Sequence, residues 1–154
     1  MNQPAASKRV IDPLGTKIRG ECMVSKPACG NDCRSCPRYT AGQSNDPNRL
    51  RDVAVLWKSV GWRAQVVKPE EIACKGCHEA DWCPHGIREC ALEHGVKSCG
   101  QCREYPCAKV NEMLERTKAH MEICRQVCTP QDFAALEKTF FRKKENMEAA
   151  RRRG

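Results

Sequence analysis

Hydrophobic positions recur at helical spacing in four stretches of the chain, and cysteine-rich turns separate them. Leu50, Val53, Ala54, Trp57 and Val60 share one face of a helix that begins at Pro47, after the turn 43–47, and ends at Gly61. Trp57 reads as a core residue of that helix. Residues 87–94 have room for a helix of about two turns, stopped by Gly95. A third helix over 106–126 puts Val110, Leu114, Thr117, Met121 and Cys124 on one face. The fourth has a marked start, with Thr129 as cap, Pro130 at the first position and Asp132 at the third. Its Phe133, Leu136, Phe140 and Met147 face one way and read as core or interface residues. "AQVVKPEEI" (64–72) reads as a short extended piece entering a turn of helix, and Val10 with Ile11 as a short strand.

This pattern predicts a mainly α, small metal-stabilised domain. Three to four short helices pack with irregular cysteine-rich loops, and there is little β structure. Residues 1–21 are expected to form a flexible N-terminal arm, 22–128 a cysteine-rich metal-binding domain, and 129–154 a C-terminal helix with a basic tail. No tandem repeat of equal period is evident.

Composition explains why metal enters the prediction. A chain of 154 residues supports one domain with a modest core. Its 40% apolar fraction includes thirteen cysteines, beside only three Trp, two Tyr and three Phe. Cross-links or metals must then supply part of what the core lacks. No apolar stretch follows Met1, so neither a signal peptide nor a membrane span is expected and the chain reads as cytoplasmic. In that compartment a cysteine-rich chain more often binds metal than forms disulfides. The odd cysteine count leaves at least one thiol over, and Cys22 is assigned that place.

Ten cysteines form the array: Cys29, Cys33, Cys36, Cys74, Cys77, Cys83, Cys90, Cys99, Cys102 and Cys107. Within it "CRSC" (33–36), "CKGC" (74–77) and "CGQC" (99–102) echo one another. Two residues between cysteines let a tight turn aim both sulfurs at one ion while backbone N–H groups donate to the thiolates, and two such knuckles make a tetrahedral zinc site. Two four-coordinate sites would use eight of the ten. Their partition stays open, since Cys29, Cys33 and Cys36 need a fourth ligand from elsewhere and the run 99–107 could complete either site or make a third. His85 lies two residues past Cys83 and is a candidate ligand; His78, beside Cys77, is a weaker one, while His94 and His120 read as ordinary helix residues. Cys124 and Cys128 read as core thiols first, then as a local redox pair or extra ligands.

Zinc competes with an iron–sulfur cluster. The C-x3-C-x2-C spacing at 29–36 is that by which radical S-adenosylmethionine enzymes hold a four-iron cluster, but the chain lacks the length and strand–helix alternation of their barrel. Cys-Pro occurs at 36–37 and 83–84, yet no ferredoxin run C-x2-C-x2-C-x3-C-P appears. A thioredoxin-like reading of Cys74–Cys77 requires a βαβ setting that is absent from the pattern. No phosphate-binding glycine loop, H-E-x-x-H or serine elbow is present, so no catalytic motif is evident. Only nearness in sequence offers His78, Glu79 and Asp81 to an open metal position.

The formal charge of +8 sits at the ends. Residues 1–45 carry seven Lys/Arg against three Asp/Glu, and 138–154 carry seven against two. Ligating thiolates lower the working charge. The tail "FFRKKENMEAARRRG" makes nucleic acid a conceivable partner. Knuckles that bind nucleic acid usually interleave basic and aromatic residues, however, and Cys74–Cys107 is poor in aromatics.

Four segments together carry a family resemblance: "CGNDCRSCP" (29–37), "CKGC" (74–77), "IRECALEHG" (87–95) and "CGQCREYPC" (99–107). The sequence resembles the prokaryotic cysteine-rich family called domain of unknown function 3795, over roughly residues 25–125. That resemblance implies a cytoplasmic metal-binding domain and assigns no catalytic residue. The family commonly has a cysteine two residues before the Ile of its Ile-Arg-x-Cys-Ala element, where this chain has His85, which favours His85 as a substitute ligand and zinc as the metal. The expectation is a zinc module with about two Zn2+ per chain, presenting a surface to another protein. The alternative is a [4Fe-4S] protein in electron transfer or a redox-accessory role, with no membrane involved in either case.

Overall fold

The computed structural model describes residues 27–77 and 83–154, so the arm, Val10, Ile11, Cys22, His78, Glu79 and Asp81 lie outside the described residues. Those residues contain seven α-helices and no strand. They are α1 (Pro37–Ser44), α2 (Pro47–Ser59), α3 (Pro69–Ile72), α4 (Ile87–Glu93), α5 (Ala108–Val127), α6 (Pro130–Leu136) and α7 (Lys143–Arg153). None among the described residues is long and apolar enough to cross a membrane.

The mainly helical class is as the pattern predicts, but there are more helices than three or four. Helix α1 carries no apolar stripe, and Ala41 is its one buried side chain. Its signals are Pro37 at the first turn and Asn45, in the left-handed region at φ 52°, at the end. Helix α2 buries Leu50, Val53, Ala54 and Trp57, with Val60 at its end also buried. Asp46 caps it by accepting from the Asn48 N–H at 2.9 Å. Helix α5 starts two residues later than its pattern suggests, with Cys107 as cap, and buries Met113 beside Val110, Thr117 and Cys124. The Thr117 hydroxyl satisfies itself on the Met113 carbonyl at 2.8 Å.

The C-terminal segment is not one straight helix. A π turn over Glu137–Phe141 separates α6 from α7. The extra residue rotates α7 by about 100° relative to a continuous helix. Leu136, Phe133 and Phe140 therefore pack with Trp57, while Met147 turns to a different core. Thr129 caps as its sequence suggests, its hydroxyl accepting from the Asp132 N–H at 3.1 Å.

Two hydrophobic clusters result. One gathers α2, Ile72, Cys124 and Leu136, with Trp57, Trp62 and Phe140 meeting edge to face at centroid distances of 5.1–6.2 Å. The other gathers Ile87, Cys99, Val110, Met113 and Met147, with Cys29, Cys83 and Cys107 packed against it. Helix α5 and the C-terminal segment contribute to both.

The C-terminal segment reaches the second cluster by backbone contact with two cysteine turns. A Cβ on Gly100 would overlap the Met147 carbonyl oxygen, and one on Gly30, itself at φ 83°, would overlap that of Lys143. Lys143 and Met147 lie one turn apart on α7. Replacing Gly100 by alanine forces α7 off the turn and should cost about 1–3 kcal/mol of stability, read as a lower urea midpoint; an unchanged midpoint would show that α7 is not seated there.

Candidate functional site

Two of the three C-x2-C segments are built the same way. Cys33–Ser35 and Cys99–Gln101 are 3-10 turns, each entered from a polar cap. Asp32 accepts from the Arg34 N–H at 3.1 Å, and Ser98 accepts from the Gly100 N–H at 3.2 Å. In both, the N–H of the second cysteine closes on the carbonyl of the first, Cys36 on Cys33 at 3.1 Å and Cys102 on Cys99 at 3.0 Å. A 3-10 turn brings positions three apart onto one side of the chain, and so both cysteines of each pair. The segment 74–77 differs: the Gly76 N–H donates to Cys74 Sγ at 3.4 Å, a direct N–H···S contact.

The sulfurs fall into two neighbourhoods. In the first, Cys33 and Cys77 hydrogen-bond to one another, and Cys36 interacts with Cys74, so that the knuckles 33–36 and 74–77 face each other in opposite order. Cys29 interacts with Cys77 and Cys83. In the second, Cys99 interacts with Cys90, Cys102 and Cys107 and also with Cys29. Cys90, Cys99, Cys102 and Cys107 line one cavity of about 20 Å³, room for a single water-sized occupant. All twelve described cysteines are free of disulfides. The sulfurs meet as pairs and neighbours; among the described residues no three Cys, His, Asp or Glu side chains are drawn in closely enough to hold an ion.

Several groups bias these thiols. Burial pushes Cys36 up to about 11, opposed by the Tyr39 and Arg38 N–H groups at the start of α1. Burial, then the repulsion of four neighbouring sulfurs, pushes Cys99 up to about 12. Burial likewise raises Cys29, against the pull of Lys143 and the Asn31 N–H. The hydrogen bond between Cys33 and Cys77, with burial, raises Cys33, and the same hydrogen bond lowers Cys77. Arg88 adds to the lowering of Cys77 and donates to its carbonyl at 2.8 Å, tying α4 to the second knuckle. The Asn31 Oδ1 in the Cys29–Cys33 turn is buried with no hydrogen-bond partner among the described residues.

Burial, then the Lys143 and Arg116 cations, lowers the pKa of His85, against the pull of Glu112. His94, which reads as ordinary in the sequence, belongs with the second neighbourhood. Its Nδ1 lies 2.9 Å from the Cys90 carbonyl oxygen and 3.7 Å from Cys90 Sγ, and its Nε2 lies 3.7 Å from Glu104. Both His94 and Glu104 line the four-cysteine cavity. The i, i+4 spacing of Cys90 and His94 is the signal in the sequence that points to it. Cys124 is buried in the Trp57 cluster and hydrogen-bonds to Cys128 across the end of α5. Its role as a core thiol follows from that position. His120 instead accepts from Trp62 Nε1 at 3.2 Å when its Nδ1 is unprotonated.

Helices that present paired cysteine turns in two neighbourhoods define the class: a helical, cysteine-turn protein. The chain belongs to the family described as Protein of unknown function (DUF3795), whose family model matches residues 25–112, more than half of its length. No curated protein and no solved structure matches it. The match covers both sulfur neighbourhoods and ends within α5, short of the C-terminal helices.

A raised thiol becomes thiolate only as pH climbs through its pKa, whereas a lowered one is thiolate earlier. In chelator-treated protein at about pH 8, iodoacetamide should therefore alkylate Cys77 well before Cys36, Cys99 and Cys124, the last also pushed up to about 11 by burial. Peptide mass mapping reads the order, and equal rates at the four would refute it.

Proposed function

We propose that this protein binds zinc through its cysteine turns, about two ions per chain, and works in the cytoplasm as a protein-interaction or accessory module. The observation that carries the reading is the opposed pairing of two C-x2-C knuckles, Cys33 with Cys77 and Cys36 with Cys74, beside a second set of four cysteines around one cavity. Opposed knuckles supply four soft donors, the donor set that zinc takes in structural sites. N–H groups already directed at Cys29, Cys36 and Cys74 stabilise thiolate over thiol. A cation also offsets the burial and the mutual repulsion that otherwise keep these sulfurs protonated.

The accessory role draws on the surface. Leu92 is 74% exposed, and Ile123 and Val127, one turn apart on α5, are also exposed; such side chains suit a protein partner better than a phosphate backbone. The basic tail is partly engaged at home. Arg151 donates to the Gly100 carbonyl at 3.4 Å and lies over the Tyr105 ring at 5.7 Å. Fewer of its cations are left for nucleic acid than a count of charges suggests.

Zinc, iron and acid-labile sulfide are to be measured, with a visible spectrum, on full-length protein purified without oxygen. The expected result is about two zinc per chain, no sulfide and a colourless solution. Brown protein with about four irons and matching sulfide would replace zinc by a cluster. Cys102→Ser and Cys77→Ser should each lose about one zinc, from different sites. Chelation should lower the thermal midpoint and broaden the transition.

A further inference from the structure

Helix α7 opens on a lysine that is almost wholly enclosed. Lys143 is 5% exposed. Its Nζ donates to the Phe140 carbonyl at 2.9 Å and sits 5.6 Å from the centroid of the Phe140 ring. Among the described residues it forms no ion pair with a carboxylate. An enclosed ammonium with one carbonyl and one ring for company is poorly compensated. Cys29, whose turn is packed against Lys143 at Gly30, interacts with it and would carry the opposite sign as a thiolate; His85 interacts with it as well.

The backbone fixes this meeting. The Asn146 amide donates to the Gly30 carbonyl at 2.7 Å, and the Asp32 N–H donates to the Thr139 carbonyl at 2.9 Å. Gly30 leaves no room for a side chain between the Cys29 turn and Lys143. The first turn of α7 is thus seated on the turn that carries Cys29 and Cys33, although α7 lies beyond the segment 25–112 shared with the family.

We propose that Lys143 is the charge-compensating residue of the metal centre that takes Cys29, its ammonium offsetting the negative charge that thiolates leave in excess on a divalent ion. This inference rests on the zinc reading of the cysteine turns. A zinc ion with four thiolates carries two negative charges in excess, and a centre enclosed by protein needs cations or N–H donors around it. Lys143 acts through Cys29 and touches no metal, so it is a positioning residue. Its place on α7 makes the C-terminal helix a working part of a site whose sulfurs all come from upstream.

A purely structural lysine at this position predicts a different outcome from a compensating one. Exchange of an enclosed charge for an isosteric apolar group is often neutral or stabilising for the fold. Zinc affinity of the full chain, measured by competition with a chromophoric chelator, separates the two. Lys143→Met should release the zinc of the centre that takes Cys29 at about 10–100-fold lower chelator concentration, with the zinc of the centre that lacks Cys29 unchanged as internal control. Lys143→Arg should recover most of the loss, and Lys144→Met, at an exposed neighbour, should match the wild type. Lys143→Gln keeps a donor for the Phe140 carbonyl without the charge and must behave as Lys143→Met does, which covers the case of a poorly folding methionine variant. Wild-type affinity in the Gln or Met variant, equal weakening of both centres, or an Arg variant as weak as Met would each overturn the proposal. Absence of metal from the wild type would instead remove the zinc reading itself.

Discussion

The contact on which the arrangement depends is made by backbone, not by side chains. Gly30 and Gly100 stand in cysteine turns about seventy residues apart in sequence, and both press on α7, at Lys143 and Met147. With no Cβ at either point, one helix can lie against both turns at once. That double seat fixes the Cys29–Cys33 turn and the Cys99–Cys102 turn on one helix, with the Asn146 and Arg151 hydrogen bonds, the burial of Met147 and the meeting of Lys143 with Cys29. Hydrophobic burial supplies the attraction, since Met147 is fully enclosed with Ile87 and Met113. The glycines decide how closely the surfaces can meet.

The helices are legible where apolar spacing is strong. Leu50, Val53, Ala54, Trp57 and Val60 announce α2 face and all, and Thr129-Pro130 marks the start of α6. Helix α1 escapes the pattern because its burial rests on Ala41 alone, too little for a periodic signal; Pro37 and Asn45 are its cues. The π turn escapes it too. Phe140 and Met147 are spaced as though on one face, and only the tertiary demand that one meet Trp57 and the other Met113 breaks the helix phase between them.

The cysteines are legible as an array but not as neighbourhoods. Spacing identifies the turns because a knuckle is local, and the matching caps at Asp32 and Ser98 explain why "CRSC" and "CGQC" resemble one another. Which knuckle meets which is a long-range matter, settled by helix packing and invisible to spacing. His94 stands one helical turn from Cys90, its single local cue, while Glu104 and the cavity are brought opposite it by the fold. Lys143 looks in the sequence like one cation in a basic tail. Its enclosure is a product of the fold.

Helix α5 has a place in both hydrophobic clusters, with Val110 and Met113 at one end and Cys124 at the other. The segment shared with the family stops at residue 112, inside that helix. The unit of kinship and the packed unit therefore do not coincide. A rod pinned at both ends passes strain between the clusters, so neither can come apart without loosening the other. A fragment trimmed to the shared segment would keep every array cysteine and lose the beam that makes their positions hold.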